Sequence, residues 1–558
     1  MPINSIVHDY EKNEHTLLCV ENLCIMLNSE DGACELLHNV SFTIHRGETL
    51  ALVGESGSGK SLCAQAILGL LPHPALQISQ GEVWFDGVRI DTLKNEGWKN
   101  IRGKRIAMIF QEPMAALNPV QTIGAQLAEV INLHFPERDI KTVYRRSVEL
   151  LQQVGVSEPE QRLCSYPHQL SGGLCQRAMI AMALACEPDI LIADEPSTAL
   201  DVSTQQQLLQ LLQTLQKQFR LAILFITHDL AIVAHWCTRV AVLQQGRLCE
   251  INNTEKIFTA PQHPYTKSLL AAICEKAPKA TIHKSAPLLM QIKNICKSFQ
   301  APKRLLEKRL PARCVLNNIS FDIFTGEILA IVGESGCGKS TLGRALLMLD
   351  PPDSGEIFYQ NISLKKQNNK ALQAFRRNVQ IIFQDTTEAL NPRHTIARIL
   401  KEPLEIHNIG TATEREESVC NLLRIVEMPD NCGNRYPHEF SGGQRQRIGI
   451  ARALALNPKT IVCDEAVSAL DVSTQQQIIA LLLELQKKFD LSLLFITHDL
   501  NIVRRIADRV LVMSNGKIAE SNYTANIFEN PQEKATKALL AATPSIPAAW
   551  QNPPATWP

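Results

Sequence analysis

The amino-acid sequence is duplicated, and this constrains its fold more than any other feature. The octapeptide GESGSGKS at 54–61 returns as GESGCGKS at 333–340, 279 residues later. HQLSGGLCQR at 168–177 and HEFSGGQRQR at 438–447 are 270 residues apart, as are the two copies of DVSTQQQ and of FITHDL. Because the order of the motifs is unchanged, the sequence predicts two homologous domains in tandem.

The repeat also sets the expected domain boundaries. We expect a first domain at 16–275 and a second at 289–545, joined by a short polar linker at 276–288. Residues 1–15 form an N-terminal extension. The Pro-rich end of the chain, 546–558, is expected to be disordered.

Continuous apolar runs recur in each half and end in polar or glycine residues. They are TLALVGE, DILIADE, LAILFITH and RVAVLQQG in the first half, and EILAIVGE, KTIVCDE, LSLLFITH and RVLVMSNG in the second. Runs without alternation are typical of strands buried on both faces of a parallel sheet. The stretches 120–165 and 393–435 lack such runs and are interpreted as helical insertions. The predicted fold class is therefore α/β, with a mixed sheet core and an inserted helical subdomain in each domain.

Each half carries a Gly-x-x-x-x-Gly-Lys-Ser loop directly after an apolar run. The glycines let backbone N–H groups close around phosphate oxygens at a helix N-terminus. The lysine of such a loop reaches the β- and γ-phosphates, and the serine hydroxyl ligates Mg²⁺. The sequence therefore predicts two ATP-binding loops, formed by Gly54, Glu55, Ser56, Gly57, Ser58, Gly59, Lys60 and Ser61 and by Gly333, Glu334, Ser335, Gly336, Cys337, Gly338, Lys339, Ser340 and Thr341.

One position in these loops differs in its chemistry. Cys337 stands where the first loop has Ser58. A position at a helix N-terminus beside Lys339 favours the thiolate, so we expect a reactive thiol that ATP shields. The alternative is an inert small residue in the place of serine.

Paired acidic residues end a second strand in each half, Asp194-Glu195 and Asp464-Glu465. In phosphoryl transfer, the aspartate would orient the hydration shell of the metal, and the glutamate would polarise an attacking water. A merely solvated strand end is the alternative, and the phosphate loop in each half disfavours it.

Histidine and glutamine side chains complete each predicted site. His228 and His498 each follow Phe-Ile-Thr, where an imidazole could contact the γ-phosphate and hold the glutamate. Gln111 and Gln384 follow Ile-Phe and could sense metal and water. The predicted metal ligands are Ser61, Asp194, Gln111, Ser340, Asp464 and Gln384.

Ser-Gly-Gly occurs before a strong helix-forming segment in both halves. Serine is a good N-cap, so plain capping is the simplest role for this turn. The bare glycine backbone also suits an anion at the helix N-terminus. Because each domain already has a phosphate loop, a second anion site makes sense if it serves the other domain's nucleotide. The residues concerned are Ser171, Gly172 and Gly173, and Ser441, Gly442, Gly443 and Gln444.

Together these motifs resemble those of the ATP-binding components of ABC transporters, with two nucleotide-binding domains fused. The resemblance covers nearly all of 16–545. It implies a head-to-tail pair of domains that sandwich two ATP molecules, each between one phosphate loop and the opposite Ser-Gly-Gly signature. It further implies Q-loop roles for Gln111 and Gln384, D-loop roles for Asp201 and Asp471, and switch roles for His228 and His498.

Finer details resemble the oligopeptide, dipeptide and nickel importer branch. These are IAMIFQEPMAALNP, YPHQLSGG, MIAMALA and HPYTKSLL, and the fused arrangement is similar to the microcin C-type peptide importer ATPase. The resemblance implies an ATPase that uses ATP and Mg²⁺ to drive uptake of peptides or peptide-like solutes. It implies two integral-membrane permease subunits as partners and, indirectly, a solute-binding protein. The chain would be peripheral to the cytoplasmic side of the inner membrane, with helices at 111–135 and 384–405 contacting the permeases.

The chain departs from the family pattern at several positions. Leu27 aligns where an aromatic side chain would stack on adenine, whereas Phe299 fills that place in the second half. Ala466-Val467 replaces Pro-Thr or Pro-Ser after the second glutamate, and Thr386 replaces a proline after the second Q-loop. The cysteine spacing of an iron–sulfur site is missing after both domains, so no cluster is expected.

Charge and composition weigh against other classes. Lysine plus arginine equals aspartate plus glutamate at 56 each, so no net field favours nucleic acid or an anionic membrane. A soluble twin-domain ABC ATPase acting on ribosomes is the alternative function, but it should have a long charged helical linker and usually a basic surface. A DNA-repair ABC ATPase would need paired Cys-x-x-Cys zinc modules, which the sequence lacks.

Overall fold

The computed structural model describes residues 15–29, 32–197, 201–274, 286–299, 313–365, 367–384, 386–468 and 470–550. The chain divides into two compact units. The first unit ends at Cys274, and the second extends from Glu275 to Thr543 and includes Asp201–Ser203. From Pro544 onward the chain belongs to the first unit again.

The described part of the first unit contains two sheets. Its strands are β1 (Thr16–Ser29), β2 (Gly32–His45), β3 (Thr49–Val53), β4 (Leu76–Phe85), β5 (Val88–Arg89), β6 (Ile106–Ile109), β7 (Ile190–Asp194), β8 (Ala222–Thr227), β9 (Arg239–Gln244) and β10 (Arg247–Asn253). One sheet is antiparallel, in the order β2-β1-β4-β5, and the other has the order β10-β9-β3-β8-β7-β6. In the six-stranded sheet only β10 is antiparallel to its neighbour.

Helices connect these strands and cover the six-stranded sheet. They are α1 (Lys60–Ile67), α2 (Asn95–Lys99), α3 (Pro113–Ala116), α4 (Ile123–His134), α5 (Ile140–Gln153), α6 (Pro159–Leu163), α7 (Gly172–Ala183), α8 (Val202–Phe219), α9 (Leu230–Trp236), α10 (Thr254–Thr259) and α11 (Pro264–Cys274). Both faces of β3 are buried: Leu50 and Leu52 pack toward the antiparallel sheet and α1, while Ala51 and Val53 pack toward α7 and α8. This two-sided burial explains the continuous apolar runs and confirms the predicted α/β sheet.

The second unit repeats this architecture. Its strands are β11 (Leu288–Phe299), β12 (Arg313–Phe324), β13 (Ile328–Gly333), β14 (Ser354–Tyr359), β15 (Ile362–Ser363), β16 (Val379–Ile382), β17 (Thr460–Asp464), β18 (Ser492–Ile496), β19 (Arg509–Ser514) and β20 (Lys517–Tyr523). Its helices are α12 (Lys339–Leu346), α13 (Asn369–Asn378), α14 (Thr386–Ala389), α15 (Ile396–Ile406), α16 (Ala412–Ile425), α17 (Gly442–Leu454), α18 (Val472–Phe489), α19 (Leu500–Ile506), α20 (Thr524–Glu529) and α21 (Lys534–Ala542). The sheet orders are β12-β11-β14-β15 and β16-β17-β18-β13-β19-β20, matching the first unit strand for strand.

The inserted helical subdomains are present where the sequence predicts them. In the first unit α4 to α6 fill the insertion, and α4 and α5 begin at side-chain caps. Thr122 accepts from the backbone N–H of Ala125, and Asp139 accepts from that of Thr142. In the second unit α15 and α16 take this place. Across the described residues, no helix is long and apolar enough to cross a membrane.

The end of the chain corrects one expectation. Residues 546–550 belong to the predicted disordered tail, yet Ile546 is buried in the core of the first unit. The ring of Trp550 stacks on Phe258 in α10, with centroids 5.5 Å apart. The carbonyl oxygen of Ser545 lies 2.5 Å from Nε2 of His235. Residues Ala548–Trp550 form a short 3₁₀ helix. Proline enrichment was therefore a misleading signal for these residues, because a few apolar side chains suffice to dock a short segment. Residues 551–558 lie outside the described part, as do 1–14 and 276–285.

Candidate functional site

The phosphate loops are built so closely against the sheet that only glycine fits at their first position. A Cβ on Gly54 would lie 2.1 Å from the carbonyl oxygen of Leu243 in β9, and one on Gly333 would lie 2.3 Å from that of Met513 in β19. In the first loop the ammonium of Lys60 donates to the carbonyl oxygens of Gly54 and Glu55, at 2.8 and 2.7 Å. Lys339 makes the same two contacts in the second loop, at 2.8 and 3.0 Å.

A serine and an aspartate meet beneath each loop. The Ser61 hydroxyl donates to Oδ1 of Asp194 at 3.0 Å, and the Ser340 hydroxyl donates to Oδ1 of Asp464 at 3.1 Å. Burial raises the pKa of both aspartates, and the serine hydrogen bonds partly oppose that rise. A hydroxyl and a carboxylate give a cation hard oxygen donors. In the described residues no group of three His, Cys, Asp or Glu side chains could hold a metal. The Ser–Asp pair suits Mg²⁺, which usually takes one or two carboxylates together with phosphate oxygens.

The glutamate next to Asp194 is held by two side chains. Glu195 stands just past the end of β7 with φ of +44°, a strained value for a non-glycine residue. The Gln111 amide donates to its Oε2 at 3.0 Å, and Nδ1 of His228 lies 3.2 Å from its Oε1. Burial alone would lower the pKa of His228, but the hydrogen bond and charge of Glu195 raise it above the ordinary value.

The second unit assembles the same three side chains. Gln384 donates to Oε2 of Glu465 at 3.0 Å, and Nδ1 of His498 lies 3.6 Å from Oε1. Burial would raise the pKa of Glu465, but the contact with His498 and its charge lower it. The contact with Glu465 and its charge likewise raise the pKa of His498, against its burial. In both units the glutamate therefore favours the protonated form of the histidine.

The Ser-Gly-Gly turns cap helices, as the simplest interpretation expects. Ser171 accepts from the backbone N–H of Leu174 at the start of α7, and Ser441 accepts from that of Gln444 at the start of α17. Only the second turn closes the reciprocal bond, from the Ser441 backbone N–H to Oε1 of Gln444 at 3.1 Å. The Arg445 guanidinium donates to the carbonyl oxygen of Phe440.

The positions aligned with adenine stacking are equivalent but chemically different. Asn22 in β1 and Asn294 in β11 share a left-handed backbone, and this bulge places Leu27 and Phe299 at the same register position. Phe299 is 45% exposed at the end of β11, with the Lys297 ammonium 5.7 Å from its ring centroid. Leu27 is half-buried.

The D-loop aspartates stand at the start of the long helices α8 and α18. Asp471 caps α18 through the backbone N–H of Thr474, and Asp201 directly precedes α8.

Burial overturns the expected reactivity of Cys337. Its side chain is 8% exposed, and desolvation raises the pKa of the thiol, although the charge of Lys339 lowers it. Burial therefore favours the interpretation as a small residue in the place of serine over that as a reactive thiol.

The residues that follow the glutamate have different neighbours in the two units, because Ala466-Val467 replaces Pro196-Ser197. In the first unit the buried Gln176 amide donates to the carbonyl oxygen of Pro196, and Gln205 donates to the Ser197 hydroxyl. In the second unit Ala466 and Val467 are buried against apolar neighbours.

Sequence reasoning missed one contact at the first loop. The backbone N–H of Glu55 donates to the hydroxyl oxygen of Tyr265, which is almost fully buried in α11. The sequence shows only that the tyrosine of HPYTKSLL is present in one half of the repeat and absent from the other, which does not reveal the contact.

A glycine loop against the sheet, a Ser–Asp pair beneath it and a glutamate held by Gln and His form the site of a P-loop nucleotide hydrolase, and this chain carries that site twice. The family model described as ABC transporter matches residues 37–198 and 316–468. The model described as oligopeptide/dipeptide transporter, C-terminal region, matches residues 249–301. The chain belongs to the ABC transporter family of ATP-binding proteins, in its oligopeptide/dipeptide branch.

Relatives match along almost the whole chain. A protein of Pectobacterium atrosepticum named glutathione import ATP-binding protein GsiA is 43% identical, over 95% of this chain and 90% of the relative. The protein of the same name from Escherichia coli O157:H7 is 44% identical, over 98% of this chain and 92% of the relative. A solved dimeric structure of a bacterial ABC transporter cassette is 31% identical and covers 42% of this chain and 99% of its own, with a TM-score of 0.38. The chain is an ATPase coupled to transport, and the alternative of a ribosome-bound protein has no support.

Proposed function

We propose that this chain is the motor subunit of an importer for peptide-like solutes. The observation that carries the proposal is the similarity of both halves, over nearly the whole chain, to proteins named for glutathione import. Glutathione is a three-residue peptide, so it is the first cargo to test. The partners are two integral-membrane permease subunits and, indirectly, a solute-binding protein. The chain is peripheral to the cytoplasmic side of the inner membrane and is held there by the permeases.

The two sites are proposed to act as follows. Loop 54–61, which contains Lys60, and loop 333–340, which contains Lys339, bind the phosphates of ATP. Ser61 with Asp194, and Ser340 with Asp464, would hold Mg²⁺, which would neutralise phosphate charge. Gln111 and Gln384, which contact the glutamates, would also face the metal.

Glu195 and Glu465 orient and polarise the attacking water. His228 and His498 hold those carboxylates in place, as their Nδ1 contacts indicate. Because Gln and His contact opposite oxygens of the same carboxylate, the glutamate has a defined orientation before ATP binds. Such preorganisation lowers the reorganisation needed at the transition state.

We further propose two composite sites that are unequal. One joins loop 54–61 to signature 441–444, and the other joins loop 333–340 to signature 171–174. The first signature keeps its serine and both glycines, so both sites bind and hydrolyse ATP at different rates. Lys60→Ala and Lys339→Ala in the assembled transporter test this. Absence of single-turnover hydrolysis in Lys60→Ala would show that the signature beginning at Ser171 is inactive.

The permease contact is proposed on α3 with α4 and on α14 with α15. In the first unit this region exposes large apolar side chains, among them Met114, Val120 and Leu133. Val120 is 78% exposed and Leu133 is 66% exposed. Large exposed apolar side chains in one region are typical of protein contacts.

The decisive experiment assembles the chain with its permeases in proteoliposomes and measures ATP-driven uptake of labelled glutathione and of dipeptides. Glu195→Gln with Glu465→Gln should leave ATP binding intact and reduce steady-state hydrolysis by about 10²–10⁴-fold. Undiminished hydrolysis in this double variant would remove the assigned role of the glutamates. Failure of every peptide to be taken up, with hydrolysis intact, would exclude the proposed cargo class.

A further inference from the structure

The phosphate loop of the first unit is held by residues from the end of the same unit. In the turn between β9 and β10, the backbone N–H of Gly246 donates to the carbonyl oxygen of Ser58 at 3.0 Å. Inside the loop, the Ser58 N–H donates to the carbonyl oxygen of Glu55 at 3.2 Å. The Glu55 N–H in turn donates to the hydroxyl oxygen of Tyr265 at 3.3 Å. The turn from Glu55 to Ser58 is therefore held at both of its ends.

Tyr265 is itself positioned by its surroundings. Its ring packs in the core of the first unit, and its backbone N–H donates to Nδ1 of His263. The Ser268 hydroxyl donates to its carbonyl oxygen at 2.9 Å. Just before it, the backbone N–H groups of Gln262 and His263 donate to the two carboxylate oxygens of Glu250. Because the side chain is already ordered, its hydroxyl adds a contact to the loop at little further entropic cost.

The second unit keeps this surrounding structure but lacks the hydroxyl. PQHPYTKSLL at 261–270 corresponds to PQEKATKALL at 531–540, which places Ala535 at the position of Tyr265. Glu520 receives the backbone N–H groups of Gln532 and Glu533, as Glu250 does in the first unit. Alanine has no group that could accept a hydrogen bond from the loop. The second phosphate loop therefore lacks the contact that Tyr265 makes with the first.

We propose that Tyr265 is a positioning residue for ATP binding at loop 54–61. Its hydroxyl holds the backbone of Glu55, and so keeps the following N–H groups aimed at the phosphates. Tyr265 acts through the loop and does not touch the nucleotide. ATP affinity at this loop depends on the packing of α11, whereas at loop 333–340 it has no such dependence. The inference rests on the proposed function of loop 54–61 as an ATP site.

Tyr265→Phe tests this because it removes the hydroxyl and keeps the ring. Loss of one net hydrogen bond weakens ATP binding at loop 54–61 by about two- to tenfold. The measurement is photolabelling of the full chain with a photoreactive ATP analogue over a concentration series, followed by proteolytic separation and counting of the label in each half. The half-saturating concentration rises for the first half only, and its maximum labelling is unchanged.

Tyr359→Phe is the matched control. The Tyr359 hydroxyl is buried in the second unit, and no partner for it is present among the described residues, so its removal shifts neither half. An equal shift in both halves, no shift, or a fall in maximum labelling alone in Tyr265→Phe would overturn the inference. If the unsubstituted first half takes no label while the second half does, the ATP site at loop 54–61 fails and the inference fails with it.

Discussion

At the scale of single residues, competing effects decide the chemistry of Cys337. A helix N-terminus and the charge of Lys339 favour the thiolate, but the side chain is buried and desolvation outweighs both. The sequence shows the neighbours of a residue along the chain, but not its burial. Gly333 illustrates the crowding, because a Cβ there would lie 2.9 Å from the Cys337 sulfur.

Alkylation at neutral pH should therefore label Cys337 slowly. We expect exposed cysteines such as Cys164 and Cys420 to react first with iodoacetamide in the folded, nucleotide-free protein, since their thiols are accessible. Mass spectrometry of peptides over time measures the order. Early labelling of Cys337, ahead of Cys164, would contradict the assigned burial.

His228 offers a test of the Glu–His pair. In the nucleotide-free protein its pKa lies above the ordinary histidine value because Glu195 outweighs burial. The attraction between the two charges is present below that raised pKa and is lost as the pH rises through it. In Glu195→Gln the hydrogen bond and charge that oppose burial are lost, and only Asp229 still raises the pKa of His228 against burial and Lys60, so this pKa should fall.

Histidine NMR measures this shift, with His228→Gln identifying the resonance among the 15 histidines. His38, which pairs with Glu35 at 3.0 Å and not with Glu195, serves as the internal reference. A His228 pKa that does not change in Glu195→Gln would show that the carboxylate does not control it.

At the scale of elements, the helices α7 and α17 begin with the same Ser-Gly-Gly turn but differ in the hydrogen bonds that cap it. The first has only the serine cap, whereas the second adds the reciprocal bond from Gln444. Leu174 is half-buried against the core of the first unit, so leucine exchanges a backbone hydrogen bond for apolar contact. In both helices the N-cap is the serine that the nucleotide would meet.

Gln444→Leu should leave α17 with the serine cap alone, as in α7. We expect a loss of about 0.5–1 kcal/mol in the stability of the second unit and faster hydrogen exchange at the Ser441 amide, which loses its acceptor. Hydrogen exchange resolved to peptides at the start of α17 measures this. Gln444→Glu retains the acceptor and is the control, and exchange as fast in the control as in Gln444→Leu would contradict the capping role.

Elements also show what the sequence could predict. The parallel strands and the motifs at their ends were predictable because two-sided burial requires continuous apolar runs. The antiparallel sheets were missed, although Val40, Phe42 and Ile44 alternate with polar residues in β2. The contact of Tyr265 with Glu55 was not predictable, because 210 residues separate them and no spacing rule joins them.

At the scale of the whole molecule, the docked end of the chain distinguishes the two units. In the first unit Phe258 is covered by Trp550, and Ile546 completes the core beneath. At the corresponding position of the second unit, the Arg504 guanidinium covers Phe528 at 5.6 Å from the ring centroid. Ala234 stands at the position of Arg504 in the repeat, so the first unit has no arginine there that could cover Phe258.

Trp550→Ala should therefore destabilise the first unit by about 1–2 kcal/mol, through loss of stacking and apolar burial. Hydrogen exchange of α9 and α10 should accelerate, while α19 and α20 keep their rates. Arg504→Ala is the matched variant and should act on α19 and α20 instead. Equal effects of both variants on both pairs of helices would refute the assignment.

The docked end also determines when the first unit can complete its folding during synthesis. The chain is synthesised from its N-terminus, so Ile546 and Trp550 emerge only after the entire second unit. At about 5–20 residues per second, roughly 15–60 s pass between the synthesis of Phe258 and that of Trp550, which covers it. Premature termination in the second half leaves the first half unfinished.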